Sequence, residues 1–557
     1  MFFSVKSGTT RCMEPHLRIR RLGKKQLAAI GVLALSLGVA AFLRLFLLTK
    51  YADLWFCSDE GKIGLMALHF ARHGEVSTFI SGVTYGGFLG PAVVGLLMLV
   101  TGAPFIAIKL SSALFFLLFC AALFGLADRV AGRAAAVVAV ILVCFSPMFL
   151  TWLTTRAVGP HGETLFLGTL LMWLTVVLAD REAPDIEARR PLVRRRVIAF
   201  FAWGLLAGFS WYTYYLAVTY IAPCALVLAF SLLRPGIPGW RERSATIMSK
   251  LLKIGGAAIV GLLIGSLPYW IFVLDHRVLP PFGSTNPPWF APVLGLKMFF
   301  MIGFPIITGA RVAWSRSDLI PMLSKGVLYF YLASVVWFAA VAFLGRRFSN
   351  GRLLVALHLL FCPLIFSLSS FSYFADQPRY LVGLYSSLPI ALSWAICRTA
   401  VRSRVLAVTV LLVVTSVSVY GNLKTTAEQF NTIFAEPNAA LIEFLRKQRI
   451  QYFYANFWIV YRVMFESTIS VAEPPPEKAA LELTGSSFFS MRAERDPAAT
   501  ALVNKARYPA YVAWVHEAPE FEKGLRAAGR TYEKKQLGRY SVFYRIQPPL
   551  PPPPELK

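Results

Sequence analysis

Residues 88–103, FLGPAVVGLLMLVTGA, are apolar enough to enter a bilayer, yet they number only 16 and include Pro91 and three glycines. A spanning helix needs roughly 20 apolar residues, so this stretch either crosses or dips into one leaflet and returns. The choice decides the fold, because a crossing here inverts the sidedness of everything that follows.

The surroundings are those of a polytopic membrane protein. Of 557 residues, 57% are hydrophobic and 15% charged, and the mean hydropathy is +0.59; a soluble domain of this size is not so apolar. Apolar runs near 26–48, 105–127, 134–150, 163–179, 197–215, 216–233, 254–274, 326–345, 353–370, 380–397 and 405–420 read as spans. The first is too long for a cleavable signal and lacks an obvious small-residue cleavage site. The seven cysteines lie mostly inside apolar runs, with Cys57 alone in an outer loop, so no disulfide framework is implied.

Charge decides the reading of 88–103. If it does not cross, the N-terminus and loops 128–133, 180–196, 234–253, 346–352 and 398–404 share one side, and together they hold 26 Lys and Arg. If it crosses, 19 of those 26 move to the opposite side. The positive-inside rule selects the first arrangement. It has eleven spans, a basic cytoplasmic N-terminus (1–25) and an extracytoplasmic C-terminus. The net charge of +27 is thereby a signature of topology, and nucleic acid is not expected as a partner. The face opposite the basic loops is therefore expected to carry the motif at 56–74.

The unusual residues then fall outside. FCSDEGKIGLMALHFARHG (56–74) begins with the adjacent acids Asp59 and Glu60. Behind them Ile63, Met66, Ala67 and Phe70 make one apolar helical face, His69, Arg72 and His73 a basic cluster, and Gly74 a C-terminal stop. A second outer loop, TWLTTRAVGPHGETLFLG, carries Arg156, His161 and Glu163; a third, FSYFADQPRYLVGLYSSLP, carries Asp376, Arg379 and Tyr380. Arg44 and Lys109 fall inside or at the rim of apolar runs, where an ionisable group tends to face a cavity or partner. A large external loop spans 275–325. After Tyr420, residues 421–546 combine an amphipathic helix, NAALIEFLRKQ, with strand-like runs such as YPAYVAWVHE, which predicts a small extracytoplasmic α/β domain. The Pro-rich end, 547–557, is expected to be extended and disordered.

Acids in one outer loop and cations at several outer helix ends suit a transferase with a lipid-phosphate-linked donor. A carboxylate takes a proton from an acceptor hydroxyl, and cations hold the phosphate that leaves. The outer acids are also compatible with a divalent cation, Mg or Mn, through oxygen ligands, although no spacing demands one.

On SDEGKIGLMALHFARHGE followed by ISGVTYGGFLG, and on RAVGPHGETLFLG, GLLAGFSWYTYYLAVTY, GLLIGSLPYW and PRYLVGLYSSLP, in that order, residues 26–420 resemble the GT-C glycosyltransferases. The likeness is to the bacterial branch related to protein O-mannosyltransferases and lipid A aminoarabinose transferase, and it continues into LIEFLRKQRIQYFYANFWIVYRVMFES. The resemblance implies a GT-C membrane fold with external surface helices in a bacterial inner (cytoplasmic) membrane, a polyprenyl-phosphate-sugar donor, and inverting transfer on the extracytoplasmic face to an envelope lipid, glycan or protein. It implies Asp59 as catalytic residue, with Glu60 beside it. Lys109, Arg156, Arg379 and Arg72 are then the candidates for the donor phosphate, and His161, Glu163, Tyr85 and Tyr380 for substrate. Two departures stand out: Lys109 occupies a position where arginine is usual, and TYGG replaces the His-Pro-Pro or Lys-Pro-Pro of the mannosyl and aminoarabinose enzymes. The alternatives are a lipid-linked oligosaccharide polymerase or ligase, with the same broad chemistry, and a flippase of lipid-linked sugars. A flippase would gather its ionisable groups near the midplane in repeated halves, whereas no repeat is visible here.

Overall fold

The charged residues Asp59, Glu60, His161 and Arg379 all stand in the first turns of helical segments. The computed structural model describes residues 24–83, 86–180, 190–233, 251–277, 291–312, 314, 320–345, 348–430, 438–471, 483–487 and 497–551. The N-terminal basic segment up to residue 23, most of the loops at 181–189 and 234–250, and the end of the Pro-rich tail lie outside them.

In chain order the helices of the membrane part are α1 (Lys24–Lys50), α2 (Ser58–His73), α3 (Leu89–Thr101), α4 (Pro104–Ala131), α5 (Arg133–Cys144), α6 (Met148–Thr155), α7 (His161–Asp180), α8 (Arg190–Thr213), α9 (Val218–Leu233), α10 (Gly256–Gly265), α11 (Leu267–His276), α12 (Ala291–Met298), α13 (Pro321–Leu344), α14 (Asn350–Leu368), α15 (Leu388–Arg402) and α16 (Arg404–Gln429). Among the described residues, eight helices are long and apolar enough to cross a membrane, or up to ten if each bent pair is one span. Three of the expected spans lie outside those eight helices. The run 134–150 is α5 and α6, bent by 79° where Pro147 ends the regular backbone, and 254–274 is α10 and α11, bent by 60° beside Pro268. Proline lacks the N–H that would continue the ladder. The run 197–215 is helical, as α8, but falls outside the count of apolar spans.

The stretch 88–103 forms α3, 13 residues long, which at 1.5 Å per residue is about 20 Å and short of the hydrocarbon thickness. It ends on Gly102 in the left-handed conformation and lies along α2 and α4. The expected outer loop 275–325 contains a short apolar helix, α12, which packs on α14.

Two quoted motifs turn out to be one interface. GLLAG in α8 and GLLIG in α10 face each other, and a Cβ at Gly204, Gly208, Gly261 or Gly265 would overlap the backbone carbonyls of Ala258, Leu262, Phe201 or Leu205 respectively. Small residues four apart let helix backbones approach closely where lipid offers no hydrophobic drive. The segment Arg379–Arg402 is the most enclosed of the spans. Its 3-10 start, Arg379–Ser386, is pinned at Ser386, whose hydroxyl pairs with Thr169 at 2.8 Å and Tyr220 at 3.0 Å.

The C-terminal part has α17 (Ala439–Lys447), α18 (Phe457–Val471), α19 (Pro497–Lys505) and α20 (Ala518–Ala527) around a five-stranded sheet. Its strands are β1 (Tyr452–Ala455), β2 (Thr484–Ser487), β3 (Ala510–Trp514), β4 (Thr531–Leu537) and β5 (Tyr540–Gln547), in the order β2-β1-β3-β5-β4. β1 runs parallel to β2 and β3, while β5 is antiparallel to β3 and β4. The period of two sends Phe453, Val512 and Val542 to one buried face and Tyr454, Tyr511 and Phe543 to the other. This is the α/β unit expected from the alternating runs, although α16 continues to Gln429, past the expected boundary at 420.

Candidate active site

The start of α2 brings the two acids into different surroundings. Cys57 and Glu60 form a reciprocal capping box: the Cys57 N–H donates to Glu60 Oε2 at 3.2 Å. Acids in a first helical turn are also favoured by the helix dipole. Successive helical side chains point about 100° apart, so Glu60 turns inward as Asp59 stays half-buried.

Glu60 is fully buried, and both of its oxygens are engaged. Oε1 accepts from Lys109 Nζ of α4 at 2.6 Å and from the Ala157 N–H at 3.4 Å, and Oε2 accepts from Arg156 Nε at 3.4 Å. The Lys109 ammonium lies 5.8 Å from the Trp55 ring centre, and the Arg156 guanidinium 5.4 Å from that of Trp152. Burial alone would push the Arg156 guanidinium down, yet Cys57, Glu60 and Asp59 together hold it above its ordinary value. Burial also pushes the Cys57 thiol up to about 11, so it stays protonated at neutral pH. Sequence reasoning missed Lys62, which is 3% exposed and three residues after Asp59. Its i+3 spacing from Asp59 was the available signal.

The segment after Arg156 carries the second group of candidates. Gly159 turns in the left-handed conformation at φ 77°, and α7 starts at His161. His161 is buried, its ring 5.5 Å from that of Tyr214 and within electrostatic range of Arg379. Glu163 is buried against α3, where a Cβ on Gly90 would come within 2.5 Å of Oε1. The loop between α2 and α3 is strapped to the end of α8: Gly87 N–H donates to Thr213 O at 2.9 Å and the Tyr212 hydroxyl to Thr78 O at 2.7 Å. Arg379 is half-buried with its guanidinium 5.3 Å from the Tyr380 ring centre, and Tyr380 stacks on Phe371 at 4.1 Å.

The structure thus brings Asp59, Glu60, Lys109 and Arg156 together, and separately His161 with Arg379. Arg72 is exposed at the far end of α2, about 20 Å along the axis from Asp59, in the company of His69, whose Nδ1 lies 3.1 Å from Glu75. Tyr85 lies outside the described residues. Arg44 faces partners inside the protein, donating to Thr154 Oγ1 at 3.2 Å and lying over the Phe116 ring at 4.2 Å.

A divalent cation does not fit the acids at this centre. Both oxygens of Glu60 are taken by cations and N–H groups, and among the described residues no group of three or more His, Cys, Asp or Glu could hold a metal. No step is therefore routed through one.

No family model matches the sequence, and no curated protein matches it. Solved structures do match in fold. The chain is similar to ArnT from Cupriavidus metallidurans bound to undecaprenyl phosphate, at 15% identity and a TM-score of 0.55, over 93% of this chain and 98% of that one. It is also similar to the archaeal oligosaccharyltransferase AglB from Archaeoglobus fulgidus in complex with an inhibitory peptide and a dolichol-phosphate. There the identity is 11% and the TM-score 0.53, over 95% of this chain and 75% of that one. The Archaeoglobus fulgidus oligosaccharyltransferase in complex with Zn and sulfate matches at 12% identity and a TM-score of 0.52, over 92% and 72%. These are members of the GT-C superfamily, and the chain has the GT-C fold with a small C-terminal sheet domain.

Proposed function

We propose that this GT-C chain is a multi-pass membrane glycosyltransferase. It moves a sugar from a polyprenyl-phosphate-linked donor to an envelope lipid, glycan or protein, on the extracytoplasmic face and with inversion. The observation that carries the reading is the clasp at the start of α2: a fully buried Glu60 gripping Lys109 and Arg156, beside a half-buried Asp59. The sidedness rests on the basic residues of the short loops. The lipid-linked donor is supported by neighbours of the same fold that hold undecaprenyl phosphate and dolichol-phosphate.

In this reading Asp59 accepts the proton of the acceptor hydroxyl as its oxygen bonds to the anomeric carbon. The bond from that carbon to the phosphate oxygen breaks, and the electron pair leaves with the polyprenyl phosphate. Attack opposite the leaving group inverts the centre. Charge grows on the departing phosphate, where Lys109, Arg156 and Arg379 are the cations assigned to meet it; preorganised charge of this kind needs no rearrangement as the reaction proceeds. Glu60 keeps two of those cations fixed and does not itself take the proton, because its oxygens are already committed. His161, Glu163 and Tyr380 are assigned to the substrates.

The test is transfer in proteoliposomes from radiolabelled polyprenyl-phosphate sugars. Wild type should release polyprenyl phosphate and label an envelope extract, while Asp59→Asn should bind donor but transfer about 100- to 10,000-fold more slowly. Movement of intact donor between leaflets without sugar transfer would instead identify a flippase. Transfer by Asp59→Asn within a few-fold of wild type would remove Asp59 as the base.

A further inference from the structure

The external domain touches the catalytic helix itself. Helix α18 lies along α2 at two glycines. A Cβ on Gly61 would stand 2.6 Å from the Tyr461 carbonyl oxygen, and one on Gly64 would stand 2.5 Å from the Phe465 ring. Gly61 follows Glu60 directly and Gly64 comes four residues after Glu60, so the notch sits within about a turn and a half of the two acids.

Phe465 fills that notch and more. It is fully buried, and its ring lies 5.2 Å from Phe56, which precedes α2, and 5.3 Å from Phe105 in the first turn of α4. Phe56 and Phe105 also meet each other, at 5.0 Å. One side chain from the external domain thereby locks the start of the helix that carries Asp59 to the start of the helix that carries Lys109.

The inner side of α18 is tied in turn to the sheet. Arg462 Nε donates to Glu466 Oε1 at 2.8 Å, and both side chains are buried. Glu466 Oε2 accepts the Asn438 N–H at 2.9 Å, and Asn438 Oδ1 accepts the Tyr540 hydroxyl of β5 at 2.6 Å. This chain of contacts ties α18 to β5 of the sheet domain.

We propose that Phe465 is a positioning residue of the transfer centre, so that the external domain sets the place of Asp59 relative to the cations instead of standing apart as an accessory. The inference rests on the transferase reading above. Misplacement of reacting groups by about 1 Å can cost on the order of 100-fold in rate. A large aromatic wedged between two helix starts is well placed to prevent such a shift.

The experiment uses the full chain in nanodiscs, with Cys12 and Cys397 replaced by serine so that alkylation reports on Cys57. Phe465→Leu, Phe465→Ala, Gly64→Ala and the double variant Gly64→Ala with Phe465→Leu are compared for kcat, donor KM, folded yield and Cys57 alkylation. Gly64→Ala and Phe465→Ala should lose about 10- to 100-fold in kcat, with donor KM within about three-fold and Cys57 alkylated faster. Phe465→Leu should restore much of the rate in the Gly64→Ala background, because the smaller side chain makes room for the new Cβ. A kcat that stays at the wild-type value while Cys57 alkylation rises would overturn the proposal. So would a rate loss fully accounted for by the folded fraction. A wild-type protein that transfers no sugar refutes the transferase reading instead, and the Cys57 arm still reports the seating of α18.

Discussion

Glu60→Gln separates the two adjacent acids most sharply. The substitution keeps the shape of the side chain and one carbonyl oxygen, but replaces a charge that accepts from Lys109 at 2.6 Å and from Arg156 at 3.4 Å. Those partners have side-chain exposures of only 12% and 5%, so water cannot take over the lost compensation. Removing one partner of a buried ion pair typically costs about 3–5 kcal/mol, out of a total stability of about 5–15 kcal/mol for a folded domain. Asp59→Asn alters a half-buried group and should change stability by under about 1 kcal/mol, while the rate collapses. The assay is SDS titration of purified protein in mixed micelles, beside sugar transfer per folded molecule. Glu60→Gln should unfold at distinctly lower SDS. Adding Lys109→Met should recover part of the stability, because the second substitution removes a stranded charge. If Glu60→Gln unfolds within about 1 kcal/mol of wild type, Glu60 does not clasp the two cations as described.

Four further outcomes follow from the geometry. Arg379→Ala should weaken donor use more than Arg379→Lys, read as donor KM, because a lysine retains the charge though not the fork; equal donor binding in both variants would take Arg379 out of the phosphate site. Gly265→Leu should disrupt the close α8–α10 contact and lower folded yield far more than Gly256→Leu, at a glycine with open space around it; equal yields would refute the close packing. A cysteine at position 76 should be labelled from outside intact cells and one at 195 only after permeabilisation, and external labelling of 195 would reverse the topology. Finally, hydrogen bonds from Lys534 and Tyr532 hold the Glu522 carboxyl down at about 2, against an ordinary 4.5. A depressed acid contributes stability above its unfolded value and loses it as pH falls through the folded one. Acid unfolding of the sheet domain between about pH 4.5 and 2 should therefore be shallower in Glu522→Gln, and an unchanged acid profile would show that this latch does not matter.

Local physics made much of this protein legible from its sequence. Apolar length marked most of the helices, the shortness of 88–103 marked α3, and Gly74 closes α2 in the left-handed conformation with its N–H on Phe70 O. Each of these depends on neighbours a few residues away. The bends near Pro147 and Pro268 were not read from the sequence, although a proline stands in each of those apolar runs, because the angle depends on what each half packs against. Alternation pointed to strands in the C-terminal part but not to their order, since β1 pairs with two strands on either side of it by crossovers.

The resemblance singled out Asp59, but the different surroundings of Asp59 and Glu60 were not legible, because adjacent acids look alike until their partners are known. Those partners, Lys109 and Arg156, stand 49 and 96 residues away from Glu60. Arg72 resembled its fellow cations in sequence, and only the length of α2 put it at the opposite end from Asp59. Lys62 was not singled out in the sequence, and its burial is the work of tertiary packing. The meeting of Gly64 with Phe465 joins opposite ends of the chain, and no local pattern encodes a contact whose two halves are specified independently. Sequence thus determined which segments could be helices and which residue types were available for chemistry. Only the tertiary structure decided which carboxylate is buried against two cations and which stays half-buried, because a charge takes its surroundings from the dielectric and the partners that folding places around it.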